Sequence, residues 1–368
     1  MRIALGIEAL APQLTGIGRY TWELACRLPF VESVDDVRFF RGDTWYTRAG
    51  HFIENSDANY PVSANRLPRK LRRWLSRREF SRRLYHGPNF FSPPQAENAI
   101  VTVHDLSVFR FPETHPVERL RHFEQEFHRS IDNARHIITD TNYIKVELSG
   151  MFGVDPKRIS SVPLGVSEIF FELGNVERDN EILREYQLDG IKYCLCVATI
   201  EPRKGLDHAV NAFMKFRDRT KSDAVLVIVG AAGWNNASLH KLFDEAAATG
   251  AVRFLGFVSD PALRAIYRHS SLFVYPSLYE GFGLPVLEAM ACKIPALVSD
   301  QSCLPEVSGS VAMSINVADH DAFAQAFERS FEDTEWRVRA ISDGLALARH
   351  LSWDQCARKT AEIYRRFA

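Results

Sequence analysis

Residues 275–290 run Tyr275-Pro276-Ser277-Leu278-Tyr279-Glu280-Gly281-Phe282-Gly283-Leu284-Pro285-Val286-Leu287-Glu288-Ala289-Met290. Two glutamates stand eight positions apart across a glycine-containing turn that opens a helix. Pro285 suits the first helical turn, where a missing N–H costs nothing. Gly281 and Gly283 let the backbone come close to a ligand, and the free N–H groups of a helix start favour an anion. Glu280 is expected on the loop and Glu288 inside the helix, both facing one ligand. Ionised carboxylates accept hydrogen bonds, so vicinal sugar hydroxyls are natural partners. The plainer alternative is a strand–loop–helix junction carrying two solvated acids.

Outward from this stretch, short β-branched runs alternate with helical patterns along the whole chain, as in parallel sheets wrapped by helices. Strands are expected near 2–7, 36–40, 82–86, 99–103, 136–139 and 158–162, then near 192–198, 224–229, 252–255, 272–274 and 295–298. Helices are expected near 16–28, 67–80, 116–133 and 142–152, then near 205–218, 236–249, 259–269, 284–292, 319–330 and 333–349. Two doubly wound units in series follow, joined near Pro163-Leu164-Gly165-Val166, where a strand runs into residues that break regular structure. Residues 1–165 and 166–350 form the two domains, and a last helix lies within 351–368. Ligands of such sheets bind at the carboxyl ends of the strands, so the chemistry should cluster on loops that follow strands.

Composition agrees with a folded two-domain protein. The 368 residues are 46% hydrophobic and 25% charged, enough for full cores and unlike a disordered, collagenous or disulfide-stapled chain. Lys and Arg number 45 against 46 Asp and Glu, but residues 1–165 carry a net +4 and the remainder −5. The first half is therefore the one to meet an anionic surface. No apolar window reaches about 18 residues, so no membrane span is expected, and the first apolar run is too short for a signal peptide. Six scattered cysteines without a CxxC pair read as buried thiols in a reducing compartment, the cytoplasm.

Other loops carry chemistry too. Ala198-Thr199-Ile200-Glu201-Pro202-Arg203-Lys204-Gly205 follows a strand, and its adjacent Arg and Lys offer a fork and a point charge to a diphosphate; a solvated basic turn is the alternative. In Thr15-Gly16-Ile17-Gly18-Arg19-Tyr20 the third glycine of a dinucleotide fingerprint is replaced by Thr21, which argues against nicotinamide binding. His104-Asp105 follows the apolar run Ala99–Val103, Gly230 ends another strand, and Leu255-Gly256-Phe257-Val258-Ser259-Asp260 ends a third. Gly230 is expected to approach a ligand backbone-first, and Phe257 either walls a ligand or packs in the core. Asp319-His320-Asp321 imitates a metal-binding DxD but reads better as a helix N-cap, and no metal or other cofactor is expected.

The Glu-x7-Glu string resembles the retaining glycosyltransferases of the GT-B fold, the nucleotide-sugar family that includes bacterial mannosyltransferases and sucrose synthases. The resemblance implies two Rossmann-like domains facing across a cleft, with the terminal helix crossing back to the first. It implies that Glu280 contacts the donor sugar, that Glu288 holds the ribose, and that Gly281, Phe282, Gly283 and Leu284 supply backbone contacts. By the same resemblance Arg203 and Lys204 bind the diphosphate, Gly16 and Gly18 lie near donor phosphates and acceptor, and Val258 and Phe257 flank the base. His104 would contact the donor sugar from the first domain, with Asp105 either orienting its ring or touching the acceptor. Glu306 matches a further family motif. The pattern looks most like bacterial mannosyl- and rhamnosyltransferases of O-antigen or exopolysaccharide assembly, which implies a GDP-mannose or GDP-deoxymannose donor; a UDP-hexose donor and a nucleotide-sugar 2-epimerase are the alternatives.

Residues 66–83 hold nine basic residues and one acid, among them Arg69, Lys70, Arg72, Arg73, Arg77 and Arg78. Leu67, Leu71, Trp74 and Leu75 fall on one helical face, as in a basic amphipathic helix at an anionic membrane surface. A solvated helix or a nucleic-acid arm would share the charge, but no repeated aromatic surface for base stacking accompanies it. The expected partners are a nucleotide-sugar donor, a lipid-linked or oligosaccharide acceptor and the inner face of the cell membrane, without nucleic acid.

Overall fold

The computed structural model describes residues 1–54, 76–231 and 237–368. Two compact units emerge. The first comprises Met1–Leu106, Glu118–Gly165 and Trp353–Ala368, and the second Ser107–Val117 and Val166–Ser352.

In the first unit, strands β1 (Arg2–Gly6), β2 (Asp36–Arg41), β3 (Thr44–Tyr46), β4 (Leu84–Gly87), β5 (Ala99–Val103), β6 (His136–Thr139) and β7 (Ile159–Ser161) form one sheet in the order β3-β2-β1-β4-β5-β6-β7. All pairings are parallel except β2 with β3. That hairpin was not anticipated. Gly42 and Asp43 both take positive φ, the requirement of a two-residue turn whose twist matches the strands. Helices α1 (Gly16–Arg27), α2 (Val117–Asn133) and α3 (Asn142–Phe152) accompany the sheet.

The second unit carries a six-stranded parallel sheet, β8 (Tyr193–Val197), β9 (Val225–Val229), β10 (Val252–Gly256), β11 (Leu272–Tyr275), β12 (Ala296–Ser299) and β13 (Met313–Ile315). Its order is β10-β9-β8-β11-β12-β13, the doubly wound order of a Rossmann fold. Strand β9, Val-Leu-Val-Ile-Val, is buried throughout, as a sheet covered on both faces demands. Helices α4 (Val176–Glu185), α5 (Leu206–Thr220), α6 (Ala237–Ala248), α7 (Asp260–His269), α8 (Leu284–Ala291), α9 (His320–Glu332) and α10 (Thr334–His350) complete this unit. Helix α4 escaped the sequence reading because its acidic run hides a sparse apolar face, of which Leu183 is buried. Strand β13 escaped because Met-Ser-Ile has no fully buried residue and forms no apolar run.

The last helix, α11 (Trp353–Tyr364), belongs to the first unit. Arg27 Nε donates to Asp354 Oδ1 at 2.6 Å, the Tyr364 hydroxyl lies 2.6 Å from His86 Nδ1, and Asn98 donates to the carbonyl of Phe367 at 3.3 Å. Residues 107–117, expected in the first domain, group with the second. There the Phe111 ring packs on Tyr279 with centroids 5.5 Å apart.

Of the anticipated helix at 67–80, residues 76–80 are described and helical. Arg69, Lys70, Arg72, Arg73 and Trp74 lie outside the described residues. Arg77 and Arg78 are exposed, and Arg77 pairs with Glu97 at 2.7 Å. Among the described residues no helix is long and apolar enough to cross a membrane.

Candidate active site

The order of the second sheet reverses between β8 and β11, and the loops that follow these two strands carry Glu201–Lys204 and Pro276–Gly283. This is the switch point where doubly wound sheets bind ligands. Lys204 closes a single 3₁₀ turn, its amide donating to Glu201 O at 3.0 Å. Leu278 N donates to Arg203 O at 2.9 Å, which ties the two loops together.

Glu280 is the hub. Its Oε1 accepts from Lys204 Nζ at 2.6 Å and from the Tyr275 hydroxyl at 2.8 Å. Arg203 Nη1 lies 3.8 Å from its Oε2 and donates to the Tyr279 carbonyl at 3.1 Å. Burial alone would raise the Glu280 carboxyl, but Lys204 and Arg203 more than offset it and hold the group below the usual carboxylate range. It is therefore an anion although only 8% exposed. Burial and that anion push the Tyr275 phenol far above its usual range, so it remains a donor. A second buried acid, Glu201, pairs with Arg203 Nη2 at 2.9 Å and accepts from Thr199 Oγ1 at 2.8 Å. Two basic and two acidic side chains thus meet in one largely buried cluster.

Glu288, half-buried on α8, has a separate partner: the Tyr267 hydroxyl donates to its Oε2 at 3.1 Å. Gly283 occupies the N-cap of α8 with φ +97, a conformation that favours glycine, and Pro285 follows in the first turn. Gly281 and Phe282 are buried and Leu284 partly so. Gly230 has another reason to be glycine than the one expected. A Cβ there would lie 1.9 Å from the Ala198 carbonyl, so its close approach is to the chain's own backbone. Val258 is buried, whereas Phe257 is 63% exposed and is not a core residue. Glu306 stands exposed in the first turn of the short helix Leu304–Ser308. Asp319 is an N-cap, accepting from the amides of Asp321 and Ala322.

In the first unit His104 follows β5 and is 6% exposed. Its Nδ1 lies 2.7 Å from Asp140 Oδ2 and its Nε2 2.8 Å from the Pro88 carbonyl. Asp140, and not Asp105, therefore orients the ring. A carboxylate and a carbonyl can only accept, so an imidazolium with both N–H groups satisfies both. Burial would lower the His104 pKa, but Asp140 reverses this and raises it. With both nitrogens engaged, the ring edge expected to meet a sugar hydroxyl is taken up by protein in this structure. Gly16 and Gly18 open α1, where Thr15 Oγ1 accepts from Gly18 N at 3.3 Å. A cavity of about 560 Å³ lies beside them at the carboxyl ends of β1 and β4, lined by Glu8, Thr15, Asn89, Phe91, Arg119 and Arg129 among others. Among the described residues no group of three or more His, Cys, Asp or Glu is arranged to hold a metal ion.

Several of these side chains were not singled out by sequence reasoning. Glu201 and Tyr275 stood within quoted strings, yet nothing in them marks that Glu201 turns back on Arg203 and Thr199 or that the Tyr275 hydroxyl meets Glu280 five residues on. Asp140 lies 36 residues from His104, a pairing that only adjacent β5 and β6 create.

The comparisons fit this geometry. The family model described as glycosyl transferases group 1 matches residues 179–345. The chain is 33% identical to the O-antigen chain mannosyltransferase B of Escherichia coli, over 99% of its own length and 100% of that protein's. It is 27% identical to the O-antigen chain mannosyltransferase RfbU of Salmonella typhimurium, over 64% of this chain and 61% of that one. Among solved structures, WaaG, a glycosyltransferase involved in lipopolysaccharide biosynthesis, matches with a TM-score of 0.70 at 15% identity, covering 98% of this chain and 99% of that one. The complex of Anabaena Alr3699/HepE with UDP-glucose matches with a TM-score of 0.71 at 14% identity, covering 99% of each chain. The fold is the GT-B fold of two Rossmann-like domains. The chain belongs to the group 1 glycosyl transferases and is a glycosyltransferase.

Proposed function

We propose that this glycosyltransferase moves mannose, or a deoxymannose, from a GDP-sugar to a hydroxyl of a lipid-linked or oligosaccharide acceptor in surface polysaccharide synthesis, with retention at the anomeric carbon and without a metal. The observation that carries the reading is the Arg203–Lys204–Glu280 cluster at the switch point of the second sheet. An arriving diphosphate draws Lys204 and Arg203 toward its oxygens and frees the Glu280 carboxylate for sugar hydroxyls. As the sugar–phosphate bond breaks, charge grows on the leaving diphosphate, and fixed cations in a partly buried corner stabilise it more than water would. The departing phosphate then accepts the proton of the acceptor hydroxyl while a short-lived oxocarbenium ion pair preserves configuration. Glu288 takes the ribose hydroxyls, and Val258 and Phe257 flank the base. Gly281 to Leu284 approach the donor with their backbone.

The acceptor belongs to the first unit in this reading, at the cavity bordered by the Gly16–Gly18 turn, with Asp105 on that side. The His104 imidazolium contributes a fixed positive charge rather than a neutral hydrogen-bonding edge. The basic stretch 66–83 docks on an anionic inner membrane surface. Replacing Arg72, Arg73, Arg77 and Arg78 by Glu should abolish pelleting with anionic vesicles, and persistent pelleting would refute that docking.

A UDP-hexose donor is the second reading, favoured by the UDP-glucose complex of the HepE relative. A thermal-shift panel of GDP, UDP, ADP and dTDP, each with and without Mg²⁺, decides between them. A ligand at a hundred times its Kd adds about 2.7 kcal/mol. Selective, metal-independent stabilisation by GDP supports the proposal. Preference for UDP moves the assignment to the second reading, and silence from all four nucleotides overturns both.

A further inference from the structure

The loop that follows β12 approaches the Glu280 peptide from both ends. Ser302 Oγ donates to the Glu280 carbonyl at 2.7 Å and accepts from the Glu280 amide at 3.1 Å. A hydroxyl has one proton and two lone pairs, so it can do both at once. Cys303 Sγ, fully buried, lies 3.1 Å from the same carbonyl and 3.4 Å from that of Phe282. Leu304 presses on the next turn, where a Cβ on Gly283 would meet its Cδ2 at 2.8 Å.

Ser302 sits at φ +60, in the left-handed region that glycine occupies without cost. Strained residues of this kind persist where the surroundings over-determine them, and they gather at functional sites. Glycine would fit this backbone better and lose one thing, the hydroxyl. We propose that Ser302 and Cys303 are positioning residues for the transfer reaction: they clamp the Glu280 peptide so that its carboxylate, released by Lys204, meets the donor sugar in a fixed place. The inference rests on the reading of Glu280 as the sugar-contacting group.

A clamp that acts only on the sugar leaves nucleotide binding alone, which separates positioning from folding. Ser302→Gly relieves the strained backbone and removes the clamp. Its Tm should equal or exceed the wild-type value, its thermal shift with GDP should be unchanged, and its kcat with the GDP-sugar should fall about tenfold or more, as small misplacements of a reacting group do. Ser302→Ala keeps the strain without the hydroxyl, so its kcat should fall similarly and its Tm should drop. Full turnover in Ser302→Gly beside an active wild type overturns the clamp. So does a loss of turnover in Ser302→Gly that comes with a lower Tm or a lost GDP shift. A wild type that binds no GDP defeats the donor reading, and this inference with it.

Discussion

Two buried ion pairs stand at the carboxyl ends of strands, one in each unit, and they are built for opposite purposes. Lys204–Glu280 in the second unit joins a cluster in which Arg203 approaches Glu280 as well and pairs with Glu201, so Glu280 keeps a cation beside it when Lys204 moves away. His104–Asp140 in the first unit is closed off from solvent: the second ring nitrogen is bound by Pro88, and Asp140 is 2% exposed, its Oδ1 without a hydrogen-bond partner among the described residues. A pair with spare partners can be opened by a charged ligand at modest cost. A closed pair in an apolar setting holds its position because separating it would leave an uncompensated buried charge. The difference agrees with the proposed exchange of Lys204 in the second unit and with fixed geometry in the first.

The largest effect that tests this contrast is on turnover. Lys204→Ala should lower kcat for sugar transfer by roughly 10²–10³, the scale on which a preorganised charge stabiliser acts, while Arg203 and Tyr275 keep Glu280 partnered and the protein folded. Steady-state assays with the GDP-sugar check it, and undiminished turnover would break the exchange side of the comparison. Next, Asp140→Ala should cost about 3 kcal/mol of stability by leaving His104 buried without its counter-charge, with GDP binding unaffected. Denaturant melts read it, and wild-type stability would show that the dyad is not an ion pair.

The smallest effect concerns pH and sharpens the comparison within the first unit. His86 is also buried with both nitrogens engaged, but by the hydroxyls of Tyr364 and Thr102. Burial, helped by His104, lowers its pKa to about 3. It stays neutral in the fold and takes a proton on unfolding, so stability falls as pH drops below 6.5. At pH 5 the loss from His86 is about 2 kcal/mol. His104, whose pKa is raised, adds its stability fully below 6.5 and loses it as pH climbs through its own higher value. Melting the wild type and His86→Gln at pH 7 and 5 should show an acid-side loss in the first that shrinks in the second. Equal slopes would mean that His86 is not held neutral.

Much of this was legible in the chain itself. Strand and helix periodicities placed most elements within a few residues of their ends, because fully buried parallel strands read as continuous apolar runs. Gly283, Pro285 and Asp319 announced helix starts through local backbone chemistry. The Glu280–Glu288 spacing and the Arg203-Lys204 corner marked the second unit because each lies within one loop and helix. Short or polar elements left weaker traces: β3 depends on two positive-φ residues, and α4 on a sparse apolar face.

Tertiary structure alone decided the partners. Lys204 and Glu280 are 76 residues apart, yet neighbouring strands β8 and β11 bring them to 2.6 Å. Asp140 rather than the adjacent Asp105 orients His104, because β6 runs beside β5 and delivers its end to the same depth. The Ser302 hydroxyl found the Glu280 peptide in the same way, from the strand on the other side. Local sequence determines which elements form, since periodicity and capping act over a few residues. Sheet order determines which charges meet, and that order comes from burying the central strands on both faces at once, a condition no single segment contains.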